Sequence, residues 1–350
     1  MGCYFKSINF QKMNKVLVTG ISGFVGQHCA VELLKKGYAV RGSVRSLSKT
    51  DEVINGIKKE IDPKGNLEFC ELDLMKDEGW DKAMEGCDYV LHIASPFVVK
   101  VPKDENELIK PAVEGTLRAL KSAKKARVKR LVLTSSTVAM SGGKEGLIKL
   151  NQESWTDLNA KNVTAYFKSK TLAEKSAWEF IKNQTGENKL ELVVVNPGPI
   201  YGPTLTGNLA TEAMDFFKKL IKGQLPMLPK AYSVMSDVRD VATIHVSALE
   251  NERANGNRFI VTSEKPYAIQ EIAKILKANG YNKVSTRLAP TFLLKFMANF
   301  NDEMKGMLPF VGNTIEADIS NTMNTFNWTP INFEKTVIDT AKSVEKAIKE

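Results

Sequence analysis

Three glycines at intervals of three (Gly20, Gly23 and Gly26) separate the apolar run KVLVTG from the segment VGQHCAVELLKKG. This spacing constrains the chain more than any other feature. KVLVTG has the pattern of a buried strand, and the next segment has the apolar periodicity of a helix that ends at a glycine. A glycine triplet at a strand-to-helix junction permits a tight turn, close approach of the backbone to a pyrophosphate, and close packing of helix on strand. The helix start then offers unpaired N–H groups and a positive dipole end to phosphate. An ordinary strand–helix turn needs only one of these glycines.

The alternation of strand and helix continues as far as residue 203. YAVRGSVR, LEFCELDL, DYVLHIAS, KRLVLTSS and LELVVVNPG read as further strands, with helices over residues 49–60, 79–85, 106–126 and 164–184. Strands rich in Val, Ile and Leu with intervening helices imply a parallel sheet covered on both faces, hence a doubly wound α/β (Rossmann) fold. Beyond residue 203 helices predominate, over residues 209–222, 240–250, 269–277, 291–300 and 332–349. NRFIVTS is a short strand able to rejoin the main sheet. The expected organisation is a disordered extension over residues 1–12, a nucleotide-binding Rossmann domain over 13–203, and a smaller, mostly helical substrate lobe over 204–350, with an interleaved boundary.

Composition narrows the function classes. With 43% hydrophobic and 25% charged residues the chain is an ordinary globular protein, and no apolar stretch approaches the ~20 residues of a membrane helix. The net charge of +9 comes from lysines spread along the chain without an aromatic-interleaved basic patch, so no nucleic-acid partner is expected. Cys3, Cys29, Cys70 and Cys87 have neither disulfide-framework nor metal-ligand spacing and read as reduced thiols of a cytoplasmic protein. His28, His92 and His245 have no ligand partners at metal spacing, so no metal site is expected.

The turn residues Ser22, Phe24 and Val25 belong with the glycines to the expected phosphate site. The end of the second strand reports the nucleotide. An acid there holds the ribose hydroxyls of NAD, whereas a cation suits the 2′-phosphate of NADP. The segment VRSLSK carries Arg45 and, close behind, Lys49, with no acid. NADPH/NADP+ is the expected cofactor. Arg41 alternates with Val40 and reads as a solvated strand residue. Asp73 and Leu74, after the third strand, are placed to flank an adenine. Ile93, Ala94 and Ser95, at the end of the fourth, are placed to let the backbone approach the cofactor.

The fifth strand ends in Thr134-Ser135-Ser136, at the carboxyl edge of the sheet where ligands of open α/β folds bind. Tyr166 and Lys170 stand four apart in a helical segment and so share a face. A phenol titrates near ~10, and a neighbouring cation favours its ionised form, so this pair has the parts of a proton shuttle tuned towards neutrality.

These motifs together resemble the extended short-chain dehydrogenase/reductases, within the NAD-dependent epimerase/dehydratase family. The resemblance is to the dihydroflavonol-4-reductase-like branch, which includes cinnamoyl-CoA reductases and the yeast methylglyoxal (aldehyde) reductases. It runs from about Lys15 to the C-terminus and is carried by VTGISGFVG, VRGSVR, LDL, VLHIASPF, IKPAVEGT, KRLVLTSS, YFKSKTLAEKSAWEF, VVNPGPIYGP and DVRDVA. It implies that Tyr166 is the general acid and that Lys170 holds the nicotinamide ribose and lowers the tyrosine pKa. Ser136, or its neighbour Ser135, would orient the substrate carbonyl, and Pro197 would line the nicotinamide pocket.

Two positions depart from the family pattern. Ala112 stands where many extended members carry an asparagine that supports a water relay. Ala139 or Met140 stands where flavonoid reductases carry an amide that reads flavonoid hydroxyls. A smaller or more apolar carbonyl substrate is therefore expected. Asp237, Arg239 and Asp240 read as an inter-lobe ion-pair and helix-cap cluster, with Asp240 near the helix start. Met214, Phe216, Phe217, Met227, Met235 and the stretch FLLKFMANF read equally well as lobe core or as an apolar pocket lining.

The expected activity is NADPH-dependent reduction of an aldehyde or ketone by a monomer or homodimer. A nucleotide-sugar epimerase or dehydratase, or a 3β-hydroxysteroid-type dehydrogenase, is the alternative enzyme on this scaffold. A non-catalytic NADP(H) sensor is the alternative from another class.

Overall fold

The computed structural model describes residues 13–96, 102–300 and 308–349, so the extension expected over residues 1–12, with Cys3, lies outside the described residues. A seven-stranded, all-parallel sheet forms the centre. Its strands are β1 (Lys15–Thr19), β2 (Ala39–Val44), β3 (Leu67–Glu71), β4 (Tyr89–His92), β5 (Arg130–Thr134), β7 (Glu191–Pro197) and β11 (Arg258–Val261), arranged in the order β11-β7-β5-β4-β1-β2-β3. The order reverses at β1, which puts the topological switch point beside the glycine turn.

Residues alternate along each strand between two cores. Val16, Val18, Tyr89, Leu91, Val193 and Val195 enter one, and Leu17, Val90, Leu192 and Val194 enter the other. Both faces are apolar, which is why these strands read as nearly unbroken hydrophobic runs. On the first face lie α1 (Phe24–Lys35), α2 (Thr50–Lys58) and α8 (Val238–Ser247). On the second lie α3 (Trp80–Met84), α4 (Asn106–Lys125) and α6 (Ala165–Lys182), with α4 packed along α6.

A separate apolar cluster joins α7 (Glu212–Ile221), α9 (Ile269–Ala278) and the C-terminal helix Phe333–Lys349 around Tyr201, Leu228 and Met235. Beside it, β6 (Leu147–Leu150), β9 (Tyr232–Ser233), β12 (Tyr267–Ala268) and β13 (Thr314–Ala317) form a small sheet in the order β12-β9-β13-β6. A two-stranded ladder pairs β8 (Ile200–Tyr201) with β10 (Ser236–Asp237). Short helices span α5 (Val138–Ser141), α10 (Thr291–Met297) and Ser320–Phe326.

The chain crosses between the two bodies more than once. The segment Val238–Val261 returns to the main sheet, where β11 pairs with β7. β6, from the first half of the chain, pairs with β13 near its end. The strands of the small sheet have two to four residues and partners remote in sequence, so neither periodicity nor turn chemistry marked them.

The charged cluster ties the bodies together. Asp237 caps α8 by accepting from the Arg239 backbone N–H at 2.8 Å, and also accepts from the Thr336 hydroxyl at 2.7 Å. Arg239 bridges Asp237 and Asp339 of the C-terminal helix, at 2.6 and 2.7 Å. The cap is Asp237 rather than Asp240. Asp240 is buried and accepts from the Trp328 indole at 2.9 Å and the Ile331 N–H at 2.8 Å. Arg41, expected to be solvated, is largely covered: it pairs with Glu68 and donates to the carbonyls of Ala83 and Glu85 at the end of α3.

Candidate active site

The glycine turn begins where β1 ends. Gly20 has φ +68°, a left-handed value that favours glycine, and a side chain there would meet Ala94 at 3.1–3.2 Å. A Cβ on Gly26 would run into the Gly20 carbonyl and lie 2.8 Å from the Ile21 Cα. The turn is therefore closed against β-carbons on two sides. Gly23 is the N-cap of α1 and supplies no side-chain cap, so the first N–H groups of that helix are open to a ligand. Ser22 is half-buried, and its carbonyl accepts from the Gln27 side chain at 3.0 Å. Phe24 packs on the C-terminal lobe core and edge-on to His28, and Val25 packs into the main core. Their side chains are committed to packing, and what they offer to a ligand is backbone N–H.

Around the turn, Thr19 is fully buried and its hydroxyl accepts from the N–H groups of Ile93 and Ala94, both at 3.0 Å, and lies 3.0 Å from His92 Nδ1. This fixes the end of β4, with Ser95 just beyond, alongside the end of β1. Asp73 accepts from the Met75 N–H at 2.9 Å, and Leu74 packs against Gly115. Arg45 is exposed at the end of β2 and makes no hydrogen bond or ion pair among the described residues. Lys49 is exposed and paired with Glu52 at 3.1 Å.

The second half of the site lies at the ends of β5 and β7 and on the first turns of α6. Ser136 is hydrogen-bonded to the Tyr166 side chain. The Ser136 hydroxyl also donates to the Pro197 carbonyl at 3.4 Å and accepts from the Val138 N–H at 3.3 Å. Ser135 is engaged elsewhere, donating to Glu174 at 2.5 Å. The structure thus separates the two adjacent serines, and the one that meets Tyr166 is Ser136, the serine the resemblance favoured.

Lys170 follows Tyr166 by one helical turn and is buried, yet its ammonium makes no hydrogen bond or ion pair among the described residues. Burial pulls its pKa down to about 8, opposed by the charge of Glu174. Tyr166 lies well above the ordinary phenol range. Burial is the main cause and the Glu212 carboxylate at the start of α7 adds to it, while the bond to Ser136 acts in the opposite sense. The net direction is opposite to that expected from a neighbouring cation alone. In the enclosed site desolvation of the phenolate dominates, and the charge acting on Tyr166 is Glu212. At neutral pH Tyr166 therefore holds its proton.

Other candidates are placed away from this centre. Each histidine has a local partner: His28 with the Pro203 carbonyl at 2.9 Å, His92 with Thr19, and His245 with Thr134 at 2.7 Å and the Val241 carbonyl at 2.7 Å. Ala139 and Met140 are fully buried. Met214 and Phe217 are lobe core. Phe292, Phe296 and Phe300 of FLLKFMANF are mostly exposed, and so do not line an enclosed cavity.

The sequence from residue 16 to 261 matches the model of the NAD dependent epimerase/dehydratase family. The chain belongs to that family. Among curated members it is similar to cinnamoyl-CoA reductase CAD2 of Medicago truncatula, 36% identical over 75% of this chain and 80% of that protein. It is likewise similar to NADPH-dependent methylglyoxal reductase GRE2 of Saccharomyces cerevisiae, 34% identical over 75% of this chain and 81% of that protein. Its fold superposes on the solved structure of yeast methylglyoxal/isovaleraldehyde reductase Gre2 complexed with NADPH. There the TM-score is 0.79 at 27% identity, covering 96% of this chain and 99% of that one. The family assignment accounts for the glycine turn at the sheet's switch point and for the strand order.

One group of site residues escaped sequence reasoning. Glu174, Asn196 and Arg258 lie directly behind Ser136 and Lys170 and are buried. The available signal was the four-residue spacing of Tyr166, Lys170 and Glu174 along α6, which puts a third polar residue on nearly the same helix face.

Proposed function

We propose that this chain is an NADPH-dependent carbonyl reductase that converts an aldehyde or ketone to an alcohol. The observation that carries the reading is the hydrogen bond between Tyr166 and Ser136, one helical turn from a buried Lys170 without a hydrogen-bond partner among the described residues. NADPH, when bound, supplies the hydride.

The residues present fit that cofactor. The glycine turn and the open start of α1 suit a pyrophosphate, and Arg45, free of any partner among the described residues, suits a 2′-phosphate. Lys170 has a buried ammonium to offer to ribose hydroxyls. Asp73 and Leu74 would flank the adenine end and Lys49 would stand near the 2′-phosphate, while Ile93, Ala94, Ser95 and Pro197 would let backbone approach the nicotinamide half. Tyr166 donates its proton to the carbonyl oxygen as negative charge develops there, and Ser136 orients that oxygen.

The relatives named as methylglyoxal and isovaleraldehyde reductases support a small aldehyde as substrate. Among the described residues no helix is long and apolar enough to cross a membrane. The reading is tested by following NADPH oxidation with methylglyoxal, isovaleraldehyde, aryl ketones, 2-oxo acids and acyl-CoA thioesters. Turnover of an aldehyde is expected, with Tyr166→Phe slower by at least ~100-fold while still binding NADPH. Near-normal turnover by that variant would refute the role of Tyr166. Tight NADPH binding with no turnover of any of these compounds would favour a cofactor sensor.

A further inference from the structure

Glu174 is a fully buried carboxylate on α6, four residues after Lys170, and four donors converge on it. One oxygen accepts from Ser135 Oγ at 2.5 Å and from Asn196 Nδ2 at 2.9 Å. The other accepts from Arg258 Nε at 2.5 Å and Trp178 Nε1 at 3.3 Å. These donors come from the ends of β5 and β7, from the first residue of β11 and from α6 itself. Arg258 is held in turn by the carbonyls of Gln152 and Ser154, at 2.9 and 2.7 Å, and lies 3.9 Å over the Trp155 ring. Asn196 also donates to the backbone carbonyl of Ser136 at 3.3 Å.

We propose that Glu174 is a positioning residue for the reductase reaction: it fastens the strand ends that carry Ser136 to the helix that carries Tyr166 and Lys170. The proposal rests on the proposed roles of Tyr166, Ser136 and Lys170. A stability role alone accounts poorly for the arrangement. Burying an ion pair costs several kcal/mol per ion, and apolar replacements of similar volume are often neutral or stabilising. The geometry instead gives the network two effects on the site. Asn196 and Ser135 set where the Ser136 backbone stands relative to α6. The Glu174 charge, one turn from Lys170, counters the burial that drives that ammonium towards neutrality.

The charged and titratable groups around the pair come from several elements. Tyr166 and Glu174 are on the same helix as Lys170, the positive charge of Lys170 acts on His92 of β4, and Arg258 of β11 pairs with Glu174. Of these, Glu174 supplies the stabilising charge on Lys170.

The test is the pH profile of NADPH-dependent methylglyoxal or isovaleraldehyde reduction, whichever the wild type turns over faster. In Glu174→Gln, kcat should fall roughly 10- to 100-fold, the scale of a displaced reacting group. Its alkaline limb should move to lower pH by about one unit, because Lys170 loses a favourable charge. The KM for the aldehyde should be little changed. Glu174→Asp keeps the charge and a carboxylate partner for Arg258, and carries the test should the glutamine variant fail to fold. It should lose kcat while its alkaline limb stays at the wild-type position. Tyr166→Phe and Lys170→Ala are measured alongside. If these two are inactive while both Glu174 variants keep wild-type kcat and alkaline limbs and lose only thermal stability, the positioning role is overturned and the catalytic assignment stands. If Tyr166→Phe and Lys170→Ala remain active, the assignment on which the proposal rests has failed instead.

Discussion

The Ser135 hydroxyl donates to the Glu174 carboxylate at 2.5 Å, and Ser136, the next residue, is hydrogen-bonded to Tyr166. Adjacent and chemically identical side chains at one strand end thus serve two different partners. One belongs to a buried network behind the site, and the other faces the proposed proton donor.

The pair should separate on mutation. Ser136→Ala is expected to reduce kcat by at least ~100-fold with a small change in melting temperature. Ser135→Ala leaves a buried carboxylate short of one donor and should cost about 1–3 kcal/mol of stability, with the smaller effect on turnover. Thermal denaturation beside steady-state kinetics gives the ranking, and the reverse order would reassign the serines.

Arg45 has no hydrogen bond or ion pair to lose among the described residues, so its replacement isolates its effect on the nucleotide. Arg45→Glu should weaken NADPH binding roughly 10- to 100-fold, the worth of a hydrogen bond to a charged group, and leave NADH binding unchanged or improved. Fluorescence titration with both nucleotides checks this. Equal binding of the two by both proteins would remove Arg45 from the site.

Gly26→Ala should destabilise the chain by about 1–3 kcal/mol, because its β-carbon has no room beside the Gly20 carbonyl and the Ile21 Cα. The same change fills the turn proposed to approach the pyrophosphate. The prediction is therefore a combined loss of melting temperature and of stabilisation by added NADPH, read by thermal shift with and without the nucleotide.

Asp240 gives stability a specific pH dependence. Burial is the first cause of the rise of its carboxyl from the ordinary 3.8 to about 6, partly offset by hydrogen bonds from Ile331 and Trp328. The folded state thus binds this proton more tightly than the unfolded chain, and between those two values stability falls as pH rises. Asp240→Asn should flatten that part of the profile, as measured by chemical denaturation across the window. An unchanged slope would show that another group is responsible.

The main fold was legible because its cause is local. The strands Lys15–Thr19, Ala39–Val44 and Glu191–Pro197 are apolar on both faces, and each precedes or follows a helix with a clear apolar stripe. The glycine spacing and the four-residue step from Tyr166 to Lys170 are likewise features of short segments. The small sheet was not legible, since Leu147–Leu150 finds Thr314–Ala317 across nearly half the chain and each strand alone is too short to show a period.

Sequence by itself determined the doubly wound sheet, the glycine turn and the helical pair Tyr166 and Lys170, because each follows from residues within one or two turns of one another. Tertiary structure decided which serine meets Tyr166, that Arg41 is covered while Arg45 is left without a partner among the described residues, and that Asp237 rather than Asp240 caps its helix. It also decided the direction in which Tyr166 titrates. Those outcomes depend on desolvation and on donors such as Asn196 and Arg258, brought to α6 from strands remote in sequence. Neither burial nor a long-range hydrogen bond leaves a period or a spacing to read.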